Sequence, residues 1–395
     1  MKKVKIGDVC DILNGFAFKS DKYVEKGIRI IRIANVQKGF IEDNVPTFYP
    51  MDSTGLEKYM LKEDDLLMSL TGNVGRVALL QKEMLPAALN QRVACLRLKT
   101  DRITKGFLFH ILNSDFFEQQ CVLASNGVAQ KNMSTEWLKD YEIPLYSIQE
   151  QMKIADILDK TKRIIVAKNN ELSALNELIK ARFVEMFGTL HDNENGFDIV
   201  TIEDVCSLIK DGTHQTPQYT EDKKEGYKFL SSKDVMSQKV DWTNIKYIPA
   251  ELHEKLYATI KPQRNDILMS KNGVNYGIAA VNDTDEVFDI YVSLALLRPK
   301  KIIDPVFLKC VINNPETKWQ FDSSIKGIGV PNLHLGEIKK TRMFLPPIEL
   351  QNQFSDFVKQ VDKSKVNYYY KNRKDGFPPL LFIYSVTTII NLSDY

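Results

Sequence analysis

The sequence predicts a mixed α/β (α+β) chain: two duplicated domains separated by a long heptad helix, with a truncated second helix after the second copy. Three observations predict it. The 395-residue chain repeats itself about two hundred residues apart. The segment between the copies holds neither glycine nor proline from Gln149 to Met186. Each copy sets short apolar segments between glycine-rich turns, the pattern of strands mixed with helices.

The repeat runs in register. Ile6-Gly-Asp-Val-Cys10 returns as Ile202-Glu-Asp-Val-Cys206, at an offset of 196. Asp65-Leu-Leu-Met-Ser69 with Gly72 returns as Asp266-Ile-Leu-Met-Ser270 with Gly273, at 201. Gly127-Val-Ala-Gln-Lys-Asn132 returns as Gly327-Ile-Gly-Val-Pro-Asn332 at 200, and Leu145–Gln151 as Leu345–Gln351 at the same offset. Solenoid repeats are far shorter, so this period marks a duplicated domain.

The first domain covers 1–147. Ile28–Ile33 and Val93–Leu98 are expected strands, and Phe107–Phe117 an expected helix that ends near the Ser125-Asn-Gly127 turn. Its copy covers 188–347. Between them, 148–187 reads as a heptad helix. Leu158, Ile165, Leu172, Ile179 and Met186 fall seven apart, beside the mixed series Ile154, Thr161, Lys168, Leu175 and Arg182, and Gly188 stops the run. Its length is roughly 55 Å at 1.5 Å per residue. A second helix starts at 348, where Leu350–Val358 matches Glu150–Leu158, and is expected to stop by 367. Tyr368–Tyr370, Gly376, Pro378 and Pro379 then leave 368–395 as a divergent tail. Leu172, Ile179 and Met186 are accordingly expected to lack a partner on the first helix.

Composition narrows the function classes. Hydrophobic residues make up 44% and charged residues 26%, the balance of a globular protein with room for two cores. Leu380–Val386, extended through Ile390, is too short and interrupted to span a bilayer, so no membrane partner is expected. Met-Lys-Lys-Val-Lys at the start lacks a signal-peptide core, which points to the cytoplasm. Cys10, Cys95, Cys121, Cys206 and Cys310 are odd in number and set in apolar runs, as reduced core residues. A net charge of +2 leaves nucleic-acid binding open, because phosphate contacts need only a local cluster of cations.

Catalytic signatures are missing. No P-loop pattern occurs, and the five histidines never approach zinc-ligand spacing. Gly327-Ile-Gly329 and Asn313-Asn-Pro315 fall short of the cofactor and flipped-base loops of an adenine methyltransferase. Glu221-Asp-Lys223 imitates only half of a nuclease site. The chain reads as non-catalytic.

Binding chemistry is present, and it recurs. Ser69-Leu-Thr-Gly-Asn-Val-Gly-Arg76 is mirrored by Ser270-Lys-Asn-Gly-Val-Asn-Tyr-Gly277. Paired glycines allow close backbone approach, while Thr71, Asn73, Arg76, Lys271, Asn272 and Asn275 bring donors suited to phosphates and base edges. Gln130 and Lys131, with Lys326 in the copy, precede expected helix starts at Ser134 and Asn332, where free N–H groups favour phosphate. Lys19, Gln91, Arg92, Lys210 and His214 complete the candidate DNA-binding set. Each also has a plain structural reading, as a turn or cap residue held in solvent.

These residues and their order resemble the specificity (S) subunit of a type I restriction–modification system. The resemblance rests on the repeated I-x-D-V-C opening, the D-[LI]-L-M-S…G turn and the helix entry Pro144–Ala155. It implies two target recognition domains, each reading half of a bipartite double-stranded DNA site. The spacer helices, with Leu158, Ile165, Leu172, Ile179 and Met186 as partner-binding positions, would dock adenine methyltransferase (M) subunits. Restriction (R) motor-nuclease subunits complete such enzymes. S-adenosylmethionine, ATP and Mg would belong to those partners, and no cofactor to this chain. One added heptad would lengthen the spacer by about 10 Å, or about three base pairs at 3.4 Å each. The expected unpaired seam would also permit self-association. Two other classes compete: a stand-alone sequence-specific regulator, which would bind DNA unaided, and a single-chain methyltransferase–nuclease, which would bind cofactor itself.

Overall fold

A computed structural model describes residues 2–125, 132–325 and 331–374, the last nine as backbone alone. Two compact units emerge, one built on Met1–Asn169 and one spanning Asn170–Lys371.

The first unit opens with β1 (Lys3–Lys5), the single turn α1 (Ile6–Val9) and β2 (Cys10–Asn14). Then come β3 (Ile28–Ile31), the two-residue strands β4 (Val36–Gln37), β5 (Phe40–Ile41) and β6 (Phe48–Tyr49), and the hairpin β7 (Leu66–Ser69) and β8 (Val77–Leu79). After β9 (Ala87–Leu89) and β10 (Val93–Leu98) follow α2 (Lys105–Leu112), α3 (Asp115–Leu123), α4 (Thr135–Asp140), β11 (Glu142–Pro144) and the long α5 (Ile148–Phe187).

An antiparallel sheet in the order β2-β10-β7-β8 organises this unit. One face sets Leu66, Met68, Ala94 and Leu96 against Phe107, Leu112 and Leu138. The other sets Leu67, Ala78 and Cys95 against Ile31, Ala87 and Leu89. Covering on both faces is why β7 is an unbroken apolar run without polar alternation. Beside it the buried Asp65 takes Arg97 in a two-pronged ion pair, at 2.9 and 2.5 Å.

The second unit repeats the plan: β12 (Asp198–Thr201), α6 (Ile202–Val205), β13 (Cys206–Asp211), β14 (Tyr227–Leu230), β15 (Lys246–Ile248) and α7 (Ala250–Tyr257). Next come β16 (Ile267–Ser270), β17 (Ala279–Val281), β18 (Phe288–Ile290) and β19 (Leu294–Pro299). Helices α8 (Pro305–Ile312), α9 (Pro315–Ser324) and α10 (Leu335–Lys340), strand β20 (Arg342–Leu345) and helix α11 (Ile348–Lys374) end it. Its sheet runs β13-β19-β16-β17, the same order. Asp266 and Arg298 form the matching pair at 2.8 Å.

Several expectations change. The helix expected over Phe107–Phe117 is two helices, because Ser114 turns its hydroxyl onto Phe117 N (3.1 Å) and caps a new start. The helix expected from Asn332 begins at Leu335, with His334 as a cap that makes no side-chain bond. The second long helix does not stop at 367 but continues through Tyr368–Tyr370 to Lys374. Tyrosine is a mediocre helix former and not a breaker. The tail from 375, with Gly376 and both prolines, lies outside the described residues.

The heptad seam is real but not free. Every position of both series, from Ile154 to Met186, is half-buried. Contrary to the expectation of an unpaired seam, Ile179 and Met186 pack on the core of the second unit, which Phe183 and Phe187 fill. Phe354 and Val358 of α11 join that core, and Lys365 Nζ donates to Asn176 Oδ1 at 2.8 Å. The third position of that expectation, Leu172, is half-buried and lies outside this core.

Each long helix starts with a buried glutamine that ties it to its own unit. Gln151 Oε1 accepts from Thr104 N (2.8 Å), and its Nε2 donates to Arg102 O and Tyr146 O (both 2.9 Å). Gln351 repeats this with Asp304 N, Ile302 O and Pro346 O. Asp304 in turn caps α8, accepting from Val306 N (2.8 Å), Phe307 N (2.9 Å) and the Ser355 hydroxyl. Asp304→Ala is therefore expected to cost about 1–2 kcal/mol, read as a lower unfolding midpoint of the second unit with no change in the first.

The five cysteines carry no disulfide, and burial pushes the thiols of Cys10, Cys121 and Cys206 up to about 12. Among the described residues no helix is long and apolar enough to cross a membrane.

Candidate nucleic-acid interface

One end of each central sheet gathers the recurring loops. In the first unit this is where β2 and β7 finish and β10 begins, with Ala94 opposite Asn14 and Val93 opposite Ser69. Four segments are laced there by backbone bonds. Phe16 N donates to Leu89 O (2.8 Å) and Gln91 N to Phe16 O (3.0 Å). Leu70 N donates to Arg92 O (3.0 Å), and Met133 N to Leu70 O (2.9 Å). The second unit reproduces the lacing: Thr213 N to Ile290 O (3.1 Å), Val292 N to Thr213 O (3.0 Å), Lys271 N to Ser293 O (3.0 Å) and Leu333 N to Lys271 O (2.8 Å).

Gly15 and Gly212 make this closeness possible. A Cβ on Gly15 would sit 2.2 Å from the Asn90 carbonyl, and one on Gly212 2.1 Å from Ile290 O. No side chain fits, so the β2 and β13 ends can approach their neighbours only through glycine. The two glycines recur at an offset of 197, the sequence signal that marks this pairing.

The candidate residues divide into exposed and committed groups. Lys19, Asn73, Gln91 and Arg92 are exposed in the first unit, as are Lys210, His214 and Asn275 in the second. Thr71 is buried and donates its hydroxyl to Asn132 Oδ1 (2.6 Å), which closes the loop. Arg76 is half-buried and holds Gln37 Oε1 at 2.5 Å. Asn272 bridges Asn332, with its Oδ1 buried and without a hydrogen-bond partner. Lys271 needs correction most: it is buried, with Nζ 2.7 Å from Asp211 Oδ2. An ammonium withdrawn from water needs that carboxylate more than a distant phosphate. Burial works against the Asp211 carboxylate, but Lys271 and then His214, 3.3 Å away, hold its pKa below the usual range. Gln130, Lys131 and Lys326 lie outside the described residues.

Exposed amides and cations stand on loops fixed by a sheet, and no group of three His, Cys, Asp or Glu able to hold a metal occurs among the described residues.

On the helix the structure exposes a stripe that the sequence reading passed over. Ile157, Ile164 and Leu178 stand exposed at heptad spacing, with Ala167, Ala174 and Ala181 exposed three residues further on. The apolar series through Leu158, Ile165 and Leu172 forms the inner seam, and this stripe lies one residue earlier.

Comparison with known proteins agrees with this architecture. The specificity subunit of the Escherichia coli EcoBI type I restriction enzyme is 26% identical over 386 residues, 91% of this chain and 78% of its own length. That of the MjaVIII enzyme of Methanocaldococcus jannaschii is 31% identical over 184 residues, 45% of this chain and 43% of its own. The solved type I S subunit from M. genitalium shares the fold at a TM-score of 0.58 and 14% identity, covering 94% of this chain and 92% of its own. Residues 1–177 and 194–369 each match the type I restriction modification DNA specificity domain, and the chain belongs to that family.

Proposed function

We propose that each unit reads one half of a bipartite double-stranded DNA target through its laced sheet end, while α5 keeps the two readers apart and docks methyltransferase subunits. The family makes the chain a DNA specificity subunit of a type I restriction–modification system, and its relatives are named as such subunits and not as catalysts. The observation that carries the bipartite reading is the duplicated edge. The same four segments, joined by equivalent backbone bonds, present different exposed side chains: Asn73, Gln91 and Arg92 in one unit, Lys210, His214 and Asn275 in the other. Equal scaffolds with unequal tips suit two unequal half-sites. Phosphate contacts from Lys19, Arg92 and Lys210 would set position, and the amides would read base edges.

Docking is supported by the exposed stripe of Ile157, Ile164 and Leu178, whose neighbouring alanines allow another helix to come close. Methyltransferase subunits are its proposed occupants, with restriction subunits joining through them. S-adenosylmethionine, ATP and magnesium then serve those partners, in the cytoplasm.

The test is to express the chain with its methyltransferase in a host free of adenine methylation and map the modified bases. Modified adenines at one motif, two specified halves around a fixed unspecified gap, are expected. A continuous motif, or none from an assembled complex, refutes the proposal.

A further inference from the structure

We propose that Val274 and Asn275 together read an A·T pair in the half-site of the second unit, Val274 against the thymine 5-methyl group and Asn275 on adenine N6 and N7. This rests on the DNA-reading role proposed above and assigns it to two side chains.

Val274 is 83% exposed, more than any other large apolar side chain among the described residues. Leaving a valine in water forgoes burial energy, and nothing among the described residues of its unit covers it. Its position is nonetheless fixed from both sides. Gly273 N donates to Pro331 O (3.0 Å), Ser270 Oγ donates to Asn275 O (2.8 Å) and Ile278 N donates to Ser270 Oγ (3.0 Å). Beneath it the Lys271–Asp211 pair anchors the loop base.

The first unit shows that the exposure is not forced by the fold. There the same two residue types appear in the reverse order, Asn73 then Val74, and Val74 is buried in the core. The second loop carries one more residue, and Tyr276, held by its hydroxyl to Asp322, takes the inward place. The valine is thereby turned out beside an exposed asparagine. In the major groove an A·T pair displays a methyl group, an N7 acceptor and an N6 donor, which an apolar branch and a carboxamide match.

The complex of this chain with its methyltransferase would be titrated with duplexes carrying its mapped target, each thymine replaced in turn by deoxyuridine, which removes only the methyl. One replacement is expected to weaken binding about fourfold, the value of one buried methyl group. With Val274→Ala that difference should vanish, while Asn275→Ala should relax the demand for adenine at the same pair by about tenfold or more. Undiminished binding of every deoxyuridine duplex overturns the inference, as does a penalty that persists in Val274→Ala or a half-site without an A·T pair. Failure of the wild-type complex to prefer its mapped duplex at all removes the DNA-reading role itself, and is seen before any substitution is made.

Discussion

Phe187→Ala is expected to cost the second unit about 3–5 kcal/mol, toward the upper end of that range. The ring is fully buried, with Phe307 at 4.9 Å, Phe354 at 5.4 Å, Phe344 at 6.1 Å and Phe197 at 6.4 Å between centroids. Those neighbours stand on α8, α11, β20 and the segment before β12, so no single movement can close the space left behind. A domain stable by about 5–15 kcal/mol would lose a large share of that margin. Hydrogen exchange separates the units. Amides of β16 and β19 should lose protection by roughly three to three and a half powers of ten, at 1.4 kcal/mol per tenfold, while those of β7 and β10 keep theirs. Equal losses in both units would show that Phe187 does not belong to a separately stable core.

That core also marks what the sequence could and could not disclose. The heptad spacing located α5 to within a residue at each end, because glycine at 188 and the Pro144–Ser147 entry bound it chemically. The repeated Asp-x-Leu-Met-Ser runs, read from sequence as a turn, prove to be the strands β7 and β16, whereas Val93–Leu98 is a strand as expected. Whether Ile179 and Met186 were free depended on α11, whose continuation past the tyrosines no periodicity announces. Among the recognition candidates, residue type alone cannot tell Lys271 from Lys210. One faces Asp211 inside the loop and the other faces water, and only the path of the chain decides it. The exposed valine was hidden for the same reason: Val74 and Val274 read alike until the extra residue in the second loop turns one of them outward.

Duplicating the heptad 163–169 within α5 is expected to leave both half-sites unchanged and widen the gap between them by one to three base pairs. Seven residues add about 10 Å, which sets three base pairs as the limit by length at about 3.4 Å each. Rotation pulls toward the lower number. Each added base pair turns the second half-site by roughly 35°, since a DNA turn holds about 10 base pairs, whereas a heptad turns a straight helix by only about 20°. The inserted heptad also keeps the half-buried seam and the Ile157–Ile164 stripe in phase. A four-residue insertion would rotate them by about 40° at 100° per residue. It should therefore weaken methylation more than the longer insertion does, although it adds less length. Methylation mapping of both variants reads gap, half-sites and extent of modification together. A changed half-site with an unchanged gap would assign α5 to recognition and remove its role as the spacer.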